Sequence, residues 1–97
     1  MGLNDIFKAL SDETRRKILA MLSEKDLTAG EIAGRFSQSW PTISHHLEVL
    51  EKAGLITSQR DGRNIIYSLN VTVFDEVLSF IFNATKKGGN DGDLQNK

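Results

Sequence analysis

Between positions 38 and 45 the chain sets Gln38, Ser39, Trp40, Pro41, Thr42, Ser44 and His45 in a run that holds no carboxylate, lysine or arginine. Hydroxyls, an amide and an imidazole both donate and accept hydrogen bonds, which suits the edges of DNA bases and their phosphates. Further on, Arg60 and Arg63 flank Asp61-Gly62. Taken as the centre of a two-residue hairpin loop, Asp61-Gly62 puts the two arginines directly opposite each other. Like charges so placed weaken a hairpin, and a polyanion across the tip would neutralise both and release counterions. Each feature has a bland counterpart: Ser and Thr are ordinary on a solvated helix face, and two arginines can diverge into water. Trp40 is open to two readings, as an anchor packed on the preceding turn or as a side chain reaching DNA.

Other chemistries find little support. The chain has no cysteine, which removes disulfides, thiolate nucleophiles and thiolate metal sites. His45 and His46 are adjacent, so on a helix their rings diverge by about 100° and do not readily chelate one ion. His46 falls nearer the apolar stripe and reads as a half-buried packing or hydrogen-bonding residue, with His45 outward. No nucleophile–base pair or phosphate-cradling glycine loop stands at an interpretable spacing, so no enzyme is expected.

The elements that must position these residues follow from periodicity. Leu3, Ile6, Phe7 and Leu10 recur at helical spacing and predict a short first helix. Ser11-Asp12 caps a second, from about Glu13 to Ser23, buried through Ile18, Leu19, Met21 and Leu22. Thr28 and Glu31 fit a capping box before a short third helix that buries Ile32, Ala33 and Phe36. After a turn at Ser37–Ser39, Ser39 caps a fourth helix with Pro41 in its first turn, and Gly54 ends it. Ile43, Leu47 and Leu50 form its inward stripe, leaving Pro41, His45 and Glu48 opposite, with Thr42 and Ser44 beside them. Leu55–Gln59 and Asn64–Leu69 read as strands of a hairpin. The order is that of a mainly α fold with a small β-hairpin, a winged helix-turn-helix, whose second helix of the pair lies in the major groove.

A final helix runs from Val71 to about Thr85 and is apolar around most of its circumference. One face can cover the core, but Phe74, Ile81 and Phe82 cannot all do so, and a large exposed apolar patch marks an interface. Pairing this helix with the first helix of a second copy gives a two-fold dimer, with Leu3, Ile6, Phe7, Leu10, Phe74, Val77, Leu78, Ile81 and Phe82 as its expected contacts.

With 97 residues, 39% hydrophobic and 26% charged, one globular domain is expected at residues 1–86, followed by a disordered polar tail at 87–97. The net charge of −1 is a weak argument against a nucleic-acid partner. In the central stretch Arg35, Lys52, Arg60 and Arg63 balance Glu31, Glu48, Glu51 and Asp61, yet arginines gathered on one protrusion would still give a positive tip. No apolar run nears the roughly 20 residues of a membrane span. No secretory signal opens the chain, and Ile6 stands where a myristoylation signal needs Ser or Thr. The expected compartment is the cytoplasm.

Three blocks, ALSDETRRKILAML (9–22), LTAGEIAGRFSQSWPTISHHLEVLEKAGLI (27–56) and RDGRNIIYSL (60–69), give the stretch from Phe7 to Leu69 its character. It resembles the ArsR-type bacterial repressors, most specifically in S-H-H-L-x-x-L-x-x-A-G-L-I at 44–56. The resemblance implies a homodimer through the first and last helices and a palindromic operator on double-stranded DNA. It also implies DNA contacts from Ser39, Trp40, Thr42, Ser44, His45 and the wing arginines, and a structural role for Arg15. Metal-sensing members carry cysteines in the third helix or His and carboxylate ligands in the last. Here the third helix has none and the last has only adjacent Asp75 and Glu76, so neither metal nor cofactor is expected. In length and in lacking ligands the chain is similar to the SdpR-type autorepressors, a group released from DNA by a partner membrane protein. A winged-helix protein-interaction module that has lost DNA binding is the alternative.

Overall fold

The chain alternates short helices with a small sheet: α1 (Leu3–Leu10), α2 (Glu13–Glu24), β1 (Leu27–Thr28), α3 (Ala29–Ala33), α4 (Trp40–Lys52), β2 (Ile56–Asp61), β3 (Asn64–Leu69) and α5 (Val71–Gly88). This is a computed structural model that describes residues 2–88. No helix among the described residues is long and apolar enough to cross a membrane.

Each boundary has a local cause. The Asp12 carboxylate accepts from the Arg15 amide at 3.1 Å and opens α2. Thr28 Oγ1 accepts from the Glu31 amide while Glu31 Oε1 accepts from the Thr28 amide, a closed capping box on α3. At the far end of α4 the Gly54 amide donates to Glu51 O and the Leu55 amide to Leu50 O, both at 3.0 Å. That Schellman pattern needs a left-handed residue, and Gly54 supplies it at φ 82°. Leu50 and Leu55, which flank the cap, are both fully buried.

The core is built from one face of each helix. Ile18, Ile32, Ile43, Leu47, Leu50, Leu55 and Ile56 are its largest fully buried side chains, and so the stripe expected on α4 points inward. α5 joins through Val73 and Val77, with Phe74 partly buried.

The sheet differs from the expected two-stranded hairpin. Leu27 and Thr28 pair with Tyr67 and Ile66, adding a third strand in the order β1-β3-β2. Two residues are too few for alternation to register in a sequence. α5 runs to Gly88, two residues beyond the expected end of the domain, and the rest of the expected tail lies outside the described residues.

Gly54→Ala should lower the unfolding free energy by about 1–2 kcal/mol, the cost of a left-handed residue with a Cβ. Urea denaturation should show the midpoint falling with the m value unchanged.

Candidate nucleic-acid interface

Gln38, Ser39, Trp40, Pro41, Thr42, Ser44, His45, Arg60 and Arg63 are all exposed. Most sit where α3, the turn after it and α4 present one end of the domain. Pro41 occupies the first turn of α4, where its missing amide costs no helical bond. Ser39 takes the N-cap position, but its side chain caps no amide; Ser39 Oγ instead lies 3.0 Å from Thr42 Oγ1. The amides of that first turn are thereby left free of a side-chain cap. Among α1 to α4, only α4 has no carboxylate in its first turn. Its positive dipole end is uncompensated, an arrangement favourable to a phosphate. Gln38 is tied back to α2 through Thr14 Oγ1 at 3.4 Å.

The wing corrects the sequence expectation. Asp61 pairs with Asn64 and Arg60 with Ile65, so the loop is Gly62-Arg63 and the two arginines are not cross-strand partners. Gly62 takes the left-handed φ of 64° at the first loop position. The register is set at the buried root of the hairpin: Ile56 stands opposite Leu69, and the Asn70 amide donates to Leu55 O at 3.0 Å. The expected pairing would have slid Leu69 opposite Gly54, whose helix-capping φ cannot belong to a strand. Arg63 therefore rides in the loop itself, while Arg60 projects from β2.

The same register draws residues together that sequence reasoning had kept apart. Trp40, half exposed, lines a cleft of about 350 Å³ with Arg63, Asn64 and Ile65 of the wing and with Ala29 and Gly30 of α3. The cleft joins the start of α4 to the wing tip. Asn64 and Ile65 had drawn no attention because only their strand role shows in the sequence. His45 lies on the other flank of α4, in a groove of about 540 Å³ that also takes in Asp5 and Lys8 of α1 and Lys52 of α4. Lys52 is seven residues from His45, a helical spacing that was available to find it.

Beneath this surface lies the most constrained polar cluster. The Arg15 guanidinium donates from Nε to Ala9 O at 2.8 Å and from NH2 to Lys8 O at 3.3 Å, and its NH1 is 3.1 Å from His46 Nδ1. Arg15 is structural, as the resemblance implied. His46 is 9% exposed. Burial pushes its pKa below the ordinary value, with Arg15 and His45 acting in the same direction and Asp12 against them. A histidine so depressed adds stability above its unfolded pKa, lost as pH falls through the folded one. The Asp12 carboxyl, meanwhile, is held below its usual range, first by the Arg15 amide.

Of the nine side chains expected at a dimer contact, Ile6 and Val77 are buried in the chain's own core at 5% and 7% exposure. Leu10 and Phe74 are partly buried against that core, and Leu3, Phe7, Leu78, Ile81 and Phe82 remain exposed. Among the described residues no three His, Cys, Asp or Glu side chains gather into a metal-sized group.

The root of the wing offers a titration. Tyr67 of β3 is the chain's single tyrosine, and burial, then the Glu51 carboxylate, pushes its phenol above the ordinary value of 10.0. Glu51 is fixed beside the sheet by the Ser58 hydroxyl at 2.7 Å. Absorbance titration should place the phenol midpoint above that value, and Glu51→Gln should bring it part of the way back. Stability tied to this group should be complete below pH 10 and fall as pH rises through the folded midpoint.

Residues 12–58 match the model of the bacterial regulatory proteins of the arsR family. The transcriptional repressor SdpR of Bacillus subtilis is 49% identical over 89 residues, 92% of this chain and 99% of that protein. The arsenical resistance operon repressor of Staphylococcus aureus is 38% identical over 76 residues, 78% of this chain and 73% of the relative. In three dimensions an ArsR-like transcriptional regulator from Rhodococcus sp. RHA1 superposes with a TM-score of 0.79 at 33% identity, over 88% of this chain and 80% of that one. A winged helix with this order of elements and relatives matched along nearly its whole length, the chain belongs to the ArsR family of bacterial regulatory proteins.

Proposed function

We propose that the protein represses transcription by binding a palindromic operator as a homodimer, its own operon among the targets. One observation carries the reading. The carboxylate-free first turn of α4 stands beside Trp40 and the Arg63 loop on a single exposed surface. Ser39, Thr42 and Ser44 offer hydrogen-bonding groups of a size that fits base edges, and Arg60 and Arg63 offer guanidinium groups to the phosphates. Repression, as opposed to activation, is supported by two relatives named as repressors. Release from DNA comes through a partner protein in this reading, as the similarity to the SdpR-type autorepressors implies.

The dimer supplies the second half of the operator. Past Val77, α5 exposes Leu78, Phe80, Ile81 and Phe82 at 44–70%. Leu3 and Phe7 of α1 are exposed as well. Burying these side chains against a second copy removes an apolar surface that a monomer would leave in water. A two-fold pairing sets two α4 helices against half-sites about 34–36 Å apart.

The deciding experiment is a salt series of binding to DNA from upstream of the protein's own gene, beside scrambled DNA. Tight, salt-sensitive binding to the first alone is expected; equally weak binding to both would contradict autorepression. Arg63→Ala should weaken binding evenly across sequences and reduce the salt slope by about 1. His45→Ala should change the preferred sequence, by roughly 1–3 kcal/mol at the base it contacts.

Charge placed in the apolar face tests the dimer. Phe82→Glu should weaken self-association by at least about 2 kcal/mol, seen as a monomer in sedimentation equilibrium. Operator affinity should fall in parallel. A dimer that persists in this variant and in Leu78→Glu would place the contact elsewhere.

A further inference from the structure

Arginine can only donate hydrogen bonds, and Arg15 NH1 lies 3.1 Å from His46 Nδ1. The ring nitrogen must accept, so the single proton of the neutral imidazole sits on Nε2. The Asp12 carboxylate lies 3.8 Å from the same nitrogen, but it is already engaged as the cap of α2. A second proton, on Nδ1, would set N–H against N–H and bring two cations into contact. We propose that His46 is a positioning residue for the DNA-binding surface: its Nδ1, accepting from Arg15, fixes α4 to the corner between α1 and α2, and protonation there releases α4 and weakens DNA binding. The inference rests on the operator-binding reading.

Three features make the contact effective. His46 is nearly enclosed, so water does not replace a lost partner easily. Arg15 is not free to follow the ring, because Nε and NH2 are bound to the carbonyls of Ala9 and Lys8. His46 also shares the inward side of α4 with Ile43 and Leu47, one to two turns from the exposed residues at the start of that helix. The charged groups around it are Asp12 and Arg15 from α2, His45 beside it on α4, and Asp5 and Lys8 of α1 across the groove that His45 and Arg15 line.

The test measures operator affinity of the full chain from about pH 8 to pH 5, through and below the ordinary histidine range, at constant ionic strength. Wild type should lose roughly tenfold on acidification, the scale of one hydrogen bond to a charged group. His46→Asn keeps an acceptor near the place of Nδ1 without a titrating nitrogen, and its affinity should stay flat relative to its own alkaline value. Affinity that rises on acidification in wild type, or falls equally in the Asn variant, overturns the proposal. Nitrogen NMR of the free wild-type protein gives an independent reading, which does not need the variant to fold. At alkaline pH the proton should be on Nε2, and a proton on Nδ1 would overturn the proposal. No DNA binding at any pH would overturn the operator reading and this inference with it, whereas pH-independent binding would overturn this inference alone.

Discussion

A short helix ends with carbonyls that have no partner of its own, and the answer given to those of α1 organises the rest of the domain. Arg15 and Arg16, from the first turn of the next helix, reach back to Lys8, Ala9 and Leu10. Their guanidinium groups serve both as donors and as cations at the negative end of the α1 dipole. Because α1 has only eight residues, it has little helical stability of its own and depends on such tertiary support. Arg15 then extends the same planar fork to α4 through His46. Three helices meet at this one guanidinium.

Around that junction the fold was legible where signals were local and redundant. Asp12, Thr28 with Glu31, Pro41 and Gly54 mark helix ends by their own stereochemistry, and the structure uses each at the position its type suggests. Ser39 is the exception: its hydroxyl turns to Thr42, a choice between two nearby partners that spacing cannot decide. The wing register was misread because the Asp61-Gly62 dipeptide is a strong turn signal, yet a hairpin anchored in a core obeys its buried end. β1 was invisible because two residues make a strand only when another strand is there to pair with them. The exposed candidates were all found on the surface, but their grouping into a wing-side cleft and an α1-side groove depends on the register and on the angle between helices. Neither is encoded in any short stretch.

α5 shows how composition and structure divide the work. Its apolar residues cover most of the helix in sequence, but only Val73 and Val77 are enclosed, and both lie in its first two turns. Asn70 prepares the helix by donating its amide to Leu55 O and accepting from Val73. The first turns are therefore seated by the domain itself, while the large apolar side chains from Leu78 to Phe82 are left uncovered. That exposed apolar surface is what the proposed dimer would cover.

The three strands have a further consequence for the surface of the protein. β3 lies between β1 and β2, which leaves β2 as an edge with backbone groups that no strand among the described residues meets. An open edge invites pairing with stray chains. Here that edge reads Thr57, Ser58, Gln59, Arg60, Asp61 after its buried first residue, every one of them exposed and polar. Arg60 is thus a guard against sheet-to-sheet aggregation as well as a charge on the wing. A substitution that made this strand more apolar to strengthen the hairpin would exchange solubility for rigidity.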